Sequence, residues 1–316
     1  MNNSIIFAGS TNICDIQMNV YCNHIQYKEY LCELLHLQDV KLVENTEEIC
    51  FVQNSELIEV SEDYLSDNVF VIREQNSINV QEQRKCLKYD SHKLQCEINV
   101  KVKSSEALYY TYVLPALRIV LAENGIFCLH GSAFMTPSGK CIAFVAPSGC
   151  GKSTLSVLLM KHHCTILTDD LFFIDVKRSR IATFKRPAHI DINLCKSLPW
   201  LEEWLCGSSA YMAGSKKYNL KFFDKEYISY SDSMPLPQRI FFPIIANEYE
   251  TSLMDISFRG AMMRILSQMY FHVDKNDDDV VQFLAAHCTK AKVLRLGTGL
   301  LENPLEVEKL LQKVEM

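Results

Sequence analysis

The chain has 316 residues, 48% hydrophobic and 22% charged, which suits a water-soluble globular protein of one large or two ordinary domains with a real core. Its formal net charge of -6 supplies no global basic field for nucleic acid or an anionic membrane, so neither is an expected partner. No apolar run approaches the ~18 residues that a membrane helix needs. The opening MNNSIIFAGSTNICDIQ lacks a basic segment followed by an apolar one, so no secretory signal is expected and a cytoplasmic location is. The 13 cysteines are widely spread, without a CxxC pair, and read as reduced core thiols rather than disulfides or a zinc site. His162-His163-Cys164 reads as a helix end.

Residues 1–104 read as a smaller, mixed, strand-rich module. Ile25 to Leu37 fits a helix, and ICFVQ (49–53) and VFVIR (69–73) fit strands. Between Lys93 and Lys103, Leu94, Cys96, Ile98, Val100 and Val102 alternate with polar residues, the mark of a strand with one dry face. A boundary is expected at Ser104-Ser105, so residues 105–316 form the second domain. Glu106 to Asn124 carries a helical apolar stripe with a kink predicted at Pro115. IFCL (126–129), GSAFM (131–135) and CIAFVA (141–146) read as strands, with a turn at Thr136-Pro137-Ser138-Gly139.

After residue 146 comes a helix with Leu155, Leu158 and Leu159 inward, then the short strand TILT (165–168). LFFIDV (171–176) and IATFK (181–185) flank the basic turn Lys177–Arg180 as a hairpin. RIFFPIIA (239–246) and KVLRL (292–296) are strands; Arg259–Phe271 and Val280–Cys288 are helices. Asn303-Pro304 opens a last helix with Val307, Leu310, Leu311 and Val314 inward. Strand and helix alternate from residue 126 on, which predicts an α/β core.

Between the third of these strands and the helix lies Ala146-Pro147-Ser148-Gly149-Cys150-Gly151-Lys152-Ser153-Thr154, a Walker A pattern with Ala for its first Gly. Gly149 and Gly151 let backbone N–H groups converge on phosphate oxygens, and the helix N-terminus adds positive partial charge. Lys152 is the cation for the β- and γ-phosphates, and the Ser153 hydroxyl is a ligand for Mg²⁺. Pro147 to Thr154 are the candidate nucleotide-binding residues. No LSGGQ-like or NKxD-like sequence accompanies the loop, which argues against an ABC ATPase or a GTPase.

Phosphoryl transfer to a hydroxyl needs a carboxylate that orients the acceptor and takes its proton. Asp169 and Asp170 follow TILT, and His130 ends the strand before the loop's hairpin. Two adjacent carboxylates divide the work between acceptor and metal, or act only as a Walker B grip on Mg²⁺; His130 is a catalytic helper or a structural histidine. Lys185-Arg186-Pro187 and Lys216-Lys217-Tyr218 add positive charge.

The run HGSAF…GKCIAFVAPSGCGKSTLSVLLMKHHCTILTDDLFFID (130–175) resembles the catalytic region of the HPr kinase/phosphorylase family, and more closely the HPr-kinase-like serine kinases that tailor bacterial peptides. A weaker echo joins Lys216-Lys217-Tyr218, Met234-Pro235-Leu236 before RIFF, and a small-residue helix around Ala261. The resemblance implies a P-loop core related to phosphoenolpyruvate carboxykinase. It makes Asp170 the general base, has Asp169 assist through His130 or metal, keeps Lys152 and Ser153 in their loop roles, and takes ATP and Mg²⁺ as cofactors. Phe258-Arg259-Gly260 lacks the acidic partner that bifunctional members carry, so a phosphorylase activity is not implied.

The expected acceptor is a serine or threonine of a peptide or small protein, a ribosomal peptide precursor among them. A kinase for free serine or a sugar, and a nucleotide-binding regulatory protein, are the alternatives. A homo-oligomer is compatible with the sequence, which is silent on its state.

Overall fold

The computed structural model describes residues 4–13, 15–35, 37–42, 46–53, 70–74, 77–81, 85–90, 92–99, 101–102, 104–168, 171–183, 188–198, 200–201, 211–213, 217–220, 234–270 and 277–315. The chain is mixed α/β and divides into two compact units, 1–124 and 125–316. The expected boundary at Ser104-Ser105 precedes this division, because the helical segment after it packs on the first unit's own strands and helix.

The first unit is built on a seven-stranded sheet of order β1-β2-β3-β7-β6-β5-β4. Its strands are β1 (Ile6–Ile13), β2 (Ile16–Cys22), β3 (Glu47–Gln53), β4 (Phe70–Glu74), β5 (Ser77–Gln81), β6 (Lys85–Asp90) and β7 (Lys93–Ile98). Helix α1 (Ile25–Leu35) carries the chain from β2 to β3, which pair parallel, as a crossover requires. The alternation read from Lys93 holds as far as Ile98: Leu94, Cys96 and Ile98 are buried while Lys93 and Gln95 face out. A buried carboxylate anchors this unit. Glu47 accepts from Tyr89 Oη (3.1 Å) and Asn124 Nδ2 (3.0 Å) and meets His92 Nδ1 at 2.8 Å.

The segment expected as one kinked helix is three pieces: α2 (Ser105–Leu108), a π-helical turn (Tyr109–Val113) and α3 (Leu114–Glu123). The interruption falls before Pro115 rather than at it. Pro115 sits at the start of α3, where its missing N–H costs nothing, and the preceding turn widens to make room for its ring.

The second unit holds two larger sheets and a small one. One sheet, of order β11-β9-β10-β18-β21-β19, contains β9 (Ser132–Met135), β10 (Cys141–Phe144), β11 (Thr165–Thr168), β18 (Arg239–Ile245), β19 (Ser252–Asp255) and β21 (Lys292–Leu296). Its centre, β10-β18-β21, is parallel, and antiparallel strands cover both flanks. The other sheet, of order β17-β13-β12-β8-β20, is antiparallel throughout and contains β8 (Ile126–His130), β12 (Leu171–Asp175), β13 (Arg180–Thr183), β17 (Met234–Pro235) and β20 (Met269–Tyr270). Strands β14 (Ala188–Asp191), β15 (Tyr211–Ala213) and β16 (Lys217–Leu220) make the third.

Helices α4 (Lys152–Lys161), α5 (Ile192–Ser197), α6 (Phe258–Leu266), α7 (Asp277–Cys288), α8 (Gly299–Glu302) and α9 (Pro304–Glu315) surround the sheets. Phe144, Leu155, Leu159, Phe241, Leu294 and Leu310 form one core on the α4 and α9 side, and Leu129, Ala143, Phe172, Ile240, Ala261 and Phe283 another on the α6 and α7 side. The helix expected over Arg259–Phe271 stops at Leu266, because Met269 and Tyr270 leave it to pair with β8. Among the described residues, no helix is long and apolar enough to cross a membrane.

Candidate functional site

Strand β10 is buried at every position and runs into the loop expected from the sequence. Gly149 and Gly151 both adopt left-handed backbone, with φ of +84° and +89°. They differ in what surrounds them. A Cβ on Gly149 would meet nothing within 4 Å, whereas one on Gly151 would lie 2.7 Å from Leu296 Cδ1. Gly151 is therefore favoured by its φ, and a Cβ there would also have to push the Leu296 side chain at the end of β21 aside. It also caps α4, and with no side chain it leaves the first-turn N–H groups uncovered by any capping oxygen. Pro147, Ser148 and Gly149 are exposed, Cys150, Ser153 and Thr154 half-buried.

Lys152 opens α4, is 7% exposed, and curls back into the loop. Its Nζ donates to the carbonyl oxygens of Ala146 (2.6 Å) and Pro147 (2.9 Å). The ammonium is thus held inside the ring formed by residues 146–152 rather than extended into water. Helix α4 ends in a Schellman turn: His163 is left-handed at φ +64°, its N–H reaches Met160 O and that of Cys164 reaches Leu159 O, both at 3.0 Å. The His162-His163-Cys164 run is the helix end that the sequence suggested. Burial pushes the Cys164 thiol up to about 12. Among the described residues, no group of His, Cys, Asp and Glu is arranged to hold a metal.

His130 closes β8, half-buried, with its backbone N–H on Gln268 O (2.9 Å) and its Nδ1 3.1 Å from Gln268 Oε1. The next residue, Gly131, is where β8 bends into β9. A Cβ there would lie 2.7 Å from Phe144 O and 3.3 Å from Val145 Cγ2. This close approach sets the end of β8 against the last residues before the glycine loop. Neither Gly131 nor Gln268 is singled out by the sequence. A glycine between two apolar strands is a readable signal for the first; the second lies 138 positions from His130 and has none.

Asp169 and Asp170 lie outside the described residues, and so do Lys185, Arg186 and Lys216. Their neighbours are fixed. Thr168 ends β11 opposite Ala133 of β9, and Leu171 opens β12 opposite His130. Thr168 Oγ1 donates to Leu171 O at 2.6 Å, which fastens together the two residues flanking the acidic pair.

The basic turn after β12 is exposed at Lys177 and Arg178 and buried at Arg180, and each of the three cations meets a carboxylate. The buried Asp175 carboxylate accepts from Arg178 (2.8 Å) and Arg180 (3.3 Å), and Lys177 lies 3.5 Å from Asp279. Phe258-Arg259-Gly260 opens α6, where Gly260 N–H bonds the Ser257 hydroxyl at 3.1 Å. Met234-Pro235 is strand β17 against β13.

Compared with the models of known protein families and with curated proteins, the chain matches none.

Proposed function

We propose that this protein is an ATP-dependent kinase with an HPr-kinase-like core that passes the γ-phosphate to a serine or threonine hydroxyl of a peptide or small protein. One observation carries the reading: the buried Lys152 ammonium, held on Ala146 O and Pro147 O inside a loop with two left-handed glycines at the N-terminus of α4. A triphosphate entering this loop finds backbone N–H groups, the positive end of a helix and a desolvated cation already collected. Lys152 then exchanges its carbonyl partners for phosphate oxygens, a trade of neutral acceptors for charged ones that favours binding.

Magnesium, the usual companion of ATP, would be held by the Ser153 hydroxyl in the first turn of α4 together with the Asp169 carboxylate, and would supply charge neutralisation on the phosphates. The acceptor hydroxyl is oriented by Asp170, which takes its proton as the oxygen bonds to the γ-phosphorus and the bond to the ADP oxygen breaks. Two facts support that role. Thr168 and Leu171, on either side of the acidic pair, are fastened to each other, and Leu171 faces His130 across the sheet. Gly131 in turn brings the end of β8 against Phe144 and Val145, which lead into the loop.

The test is transfer from Mg-ATP to serine-containing peptides, read as a mass gain of one phosphate. Asp170→Asn is expected to abolish transfer while ATP still binds, and Lys152→Ala to lose both. Normal transfer by Asp170→Asn sinks the general-base assignment. If every peptide stays unmodified while free serine or a sugar is phosphorylated, the acceptor class is wrong and the core reading stands.

A further inference from the structure

The glycine loop does not stand alone at its end of the sheet. Strands β10, β18 and β21 run parallel, so the segments that follow them leave on the same side. Ligands of open α/β sheets bind in the crevice outside the carboxyl ends of such strands. Leu296, the last residue of β21, reaches Gly151: its Cδ1 lies 2.7 Å from where a Cβ on that glycine would be. The residues directly after it, Gly297-Thr298-Gly299, hold the segment that follows β18. Ala246 N–H donates to Leu296 O (3.0 Å), Gly297 N–H to Thr251 Oγ1 (3.0 Å), Thr298 N–H to Glu248 O (2.9 Å) and Gly299 N–H to Tyr249 O (3.0 Å). Both glycines are there for space. A Cβ on Gly297 would collide with Tyr249 O, and one on Gly299 would lie 2.9 Å from Cε1 and Cζ of the Tyr249 ring. The ring is thus seated against bare backbone, and it is still 48% exposed.

We propose that Tyr249 is the platform on which the base of the bound nucleotide stacks. The inference rests on the nucleotide reading of the glycine loop and adds where the other end of the nucleotide goes. Tyr249 stands at the carboxyl ends of the parallel strands, on the flank where β21 adjoins the loop. Its segment is tied down by four hydrogen bonds, so little freedom is left to lose when a base arrives. Every base has a π-face, so an aromatic ring can hold it without reading its edge. The charged groups of this region are engaged with one another: Glu248 with Arg295, and Lys309 with Glu306, with Glu250 also in the reach of Lys309. What the segment offers a ligand is a flat ring rather than a charge, which suits a neutral base and not a second phosphate.

The experiment titrates Mg-ATP, and magnesium tripolyphosphate as the phosphate chain without sugar or base, into the full chain. Tyr249→Ala is expected to weaken Mg-ATP binding about tenfold, the loss of one base–aromatic stack, and to leave tripolyphosphate binding unchanged. Tyr249→Leu, which keeps an apolar side chain against Gly299, is expected to lose as much, and Tyr249→Phe to bind both ligands as the parent does. Circular dichroism melting confirms that each variant is folded. Unchanged Mg-ATP affinity in Tyr249→Ala and Tyr249→Leu, or an equal loss for both ligands, overturns the proposal; tripolyphosphate binding that still depends on Lys152 would then leave the loop reading in place. A parent chain that binds neither ligand, or binds both as well after Lys152→Ala, sinks the loop reading and this inference with it.

Discussion

The two units treat their buried polar groups in opposite ways. In the first, polar side chains answer one another across the fold. Glu47 gathers Tyr89, His92 and Asn124, Asn19 both donates to and accepts from the backbone of Leu42, and Asn23 does the same with Gln53. Such closed circuits hold a shape. In the second unit, near the end of β10, two of the described bonds run locally: Lys152 bonds carbonyls five and six residues back, and Thr168 bonds a carbonyl three residues on. Local bonds of that kind can be exchanged for a ligand without unfolding anything. Under the proposed kinase reading, the contrast places the exchangeable bonds in the second unit.

Gly151→Ala gives that contrast its largest test. Left-handed backbone and a Cβ 2.7 Å from Leu296 together displace the loop, and proposed transfer should fall by roughly 10²-fold with a stability loss of about 1–3 kcal/mol. Gly149→Ala, with open space around it, should cost only about 1 kcal/mol for its φ. Matched initial rates and urea titrations of the pair decide it; equal effects would mean that β21 does not buttress the loop.

Glu47→Ala addresses the other unit. It strips Tyr89 Oη and the Asn124 amide of their shared acceptor and should cost about 2–3 kcal/mol in chemical unfolding. Transfer per folded molecule should be unchanged, and a drop in it would give the first unit a share in the chemistry.

The smallest effect concerns pH. Burial lowers the His287 imidazole from 6.5 to about 4. The unfolded chain therefore takes up this proton before the folded one does, and the stability present above pH 6.5 is lost as pH falls toward 4, on the order of 3 kcal/mol when complete. Urea unfolding at pH 7.5 and pH 5 should show a smaller loss in His287→Gln than in the parent; identical losses would assign the pH dependence to other groups.

Much of this was readable in the residues. Apolar runs gave β3, β8, β10, β12, β18 and β21 nearly to the residue, since each carries its own periodicity or turn signals. The hairpin β1–β2 escaped because Gly9, Ser10, Thr11 and Asn12 dilute its apolar pattern. Strand β20 escaped for a different reason: its two residues are held by pairing to β8, and pairing partners far along the chain leave no local mark. The glycine loop was legible because strand, glycines and helix are contiguous. What stands around it was not. Leu296 behind Gly151 and Gln268 beside His130 are brought there by the fold alone.

The pairing of β10 has a consequence for how the protein is made. Ile142 lies beside Arg239, so 239 − 142 = 97 residues must be added before β10 meets its parallel neighbour. At about 5–20 residues per second, the ribosome needs roughly 5–20 s for that stretch. The strand β21 whose Leu296 presses on Gly151 is made later still. Throughout that interval a wholly apolar strand waits with one edge bare, and the first unit, whose sheet is already complete, has time to fold ahead of it.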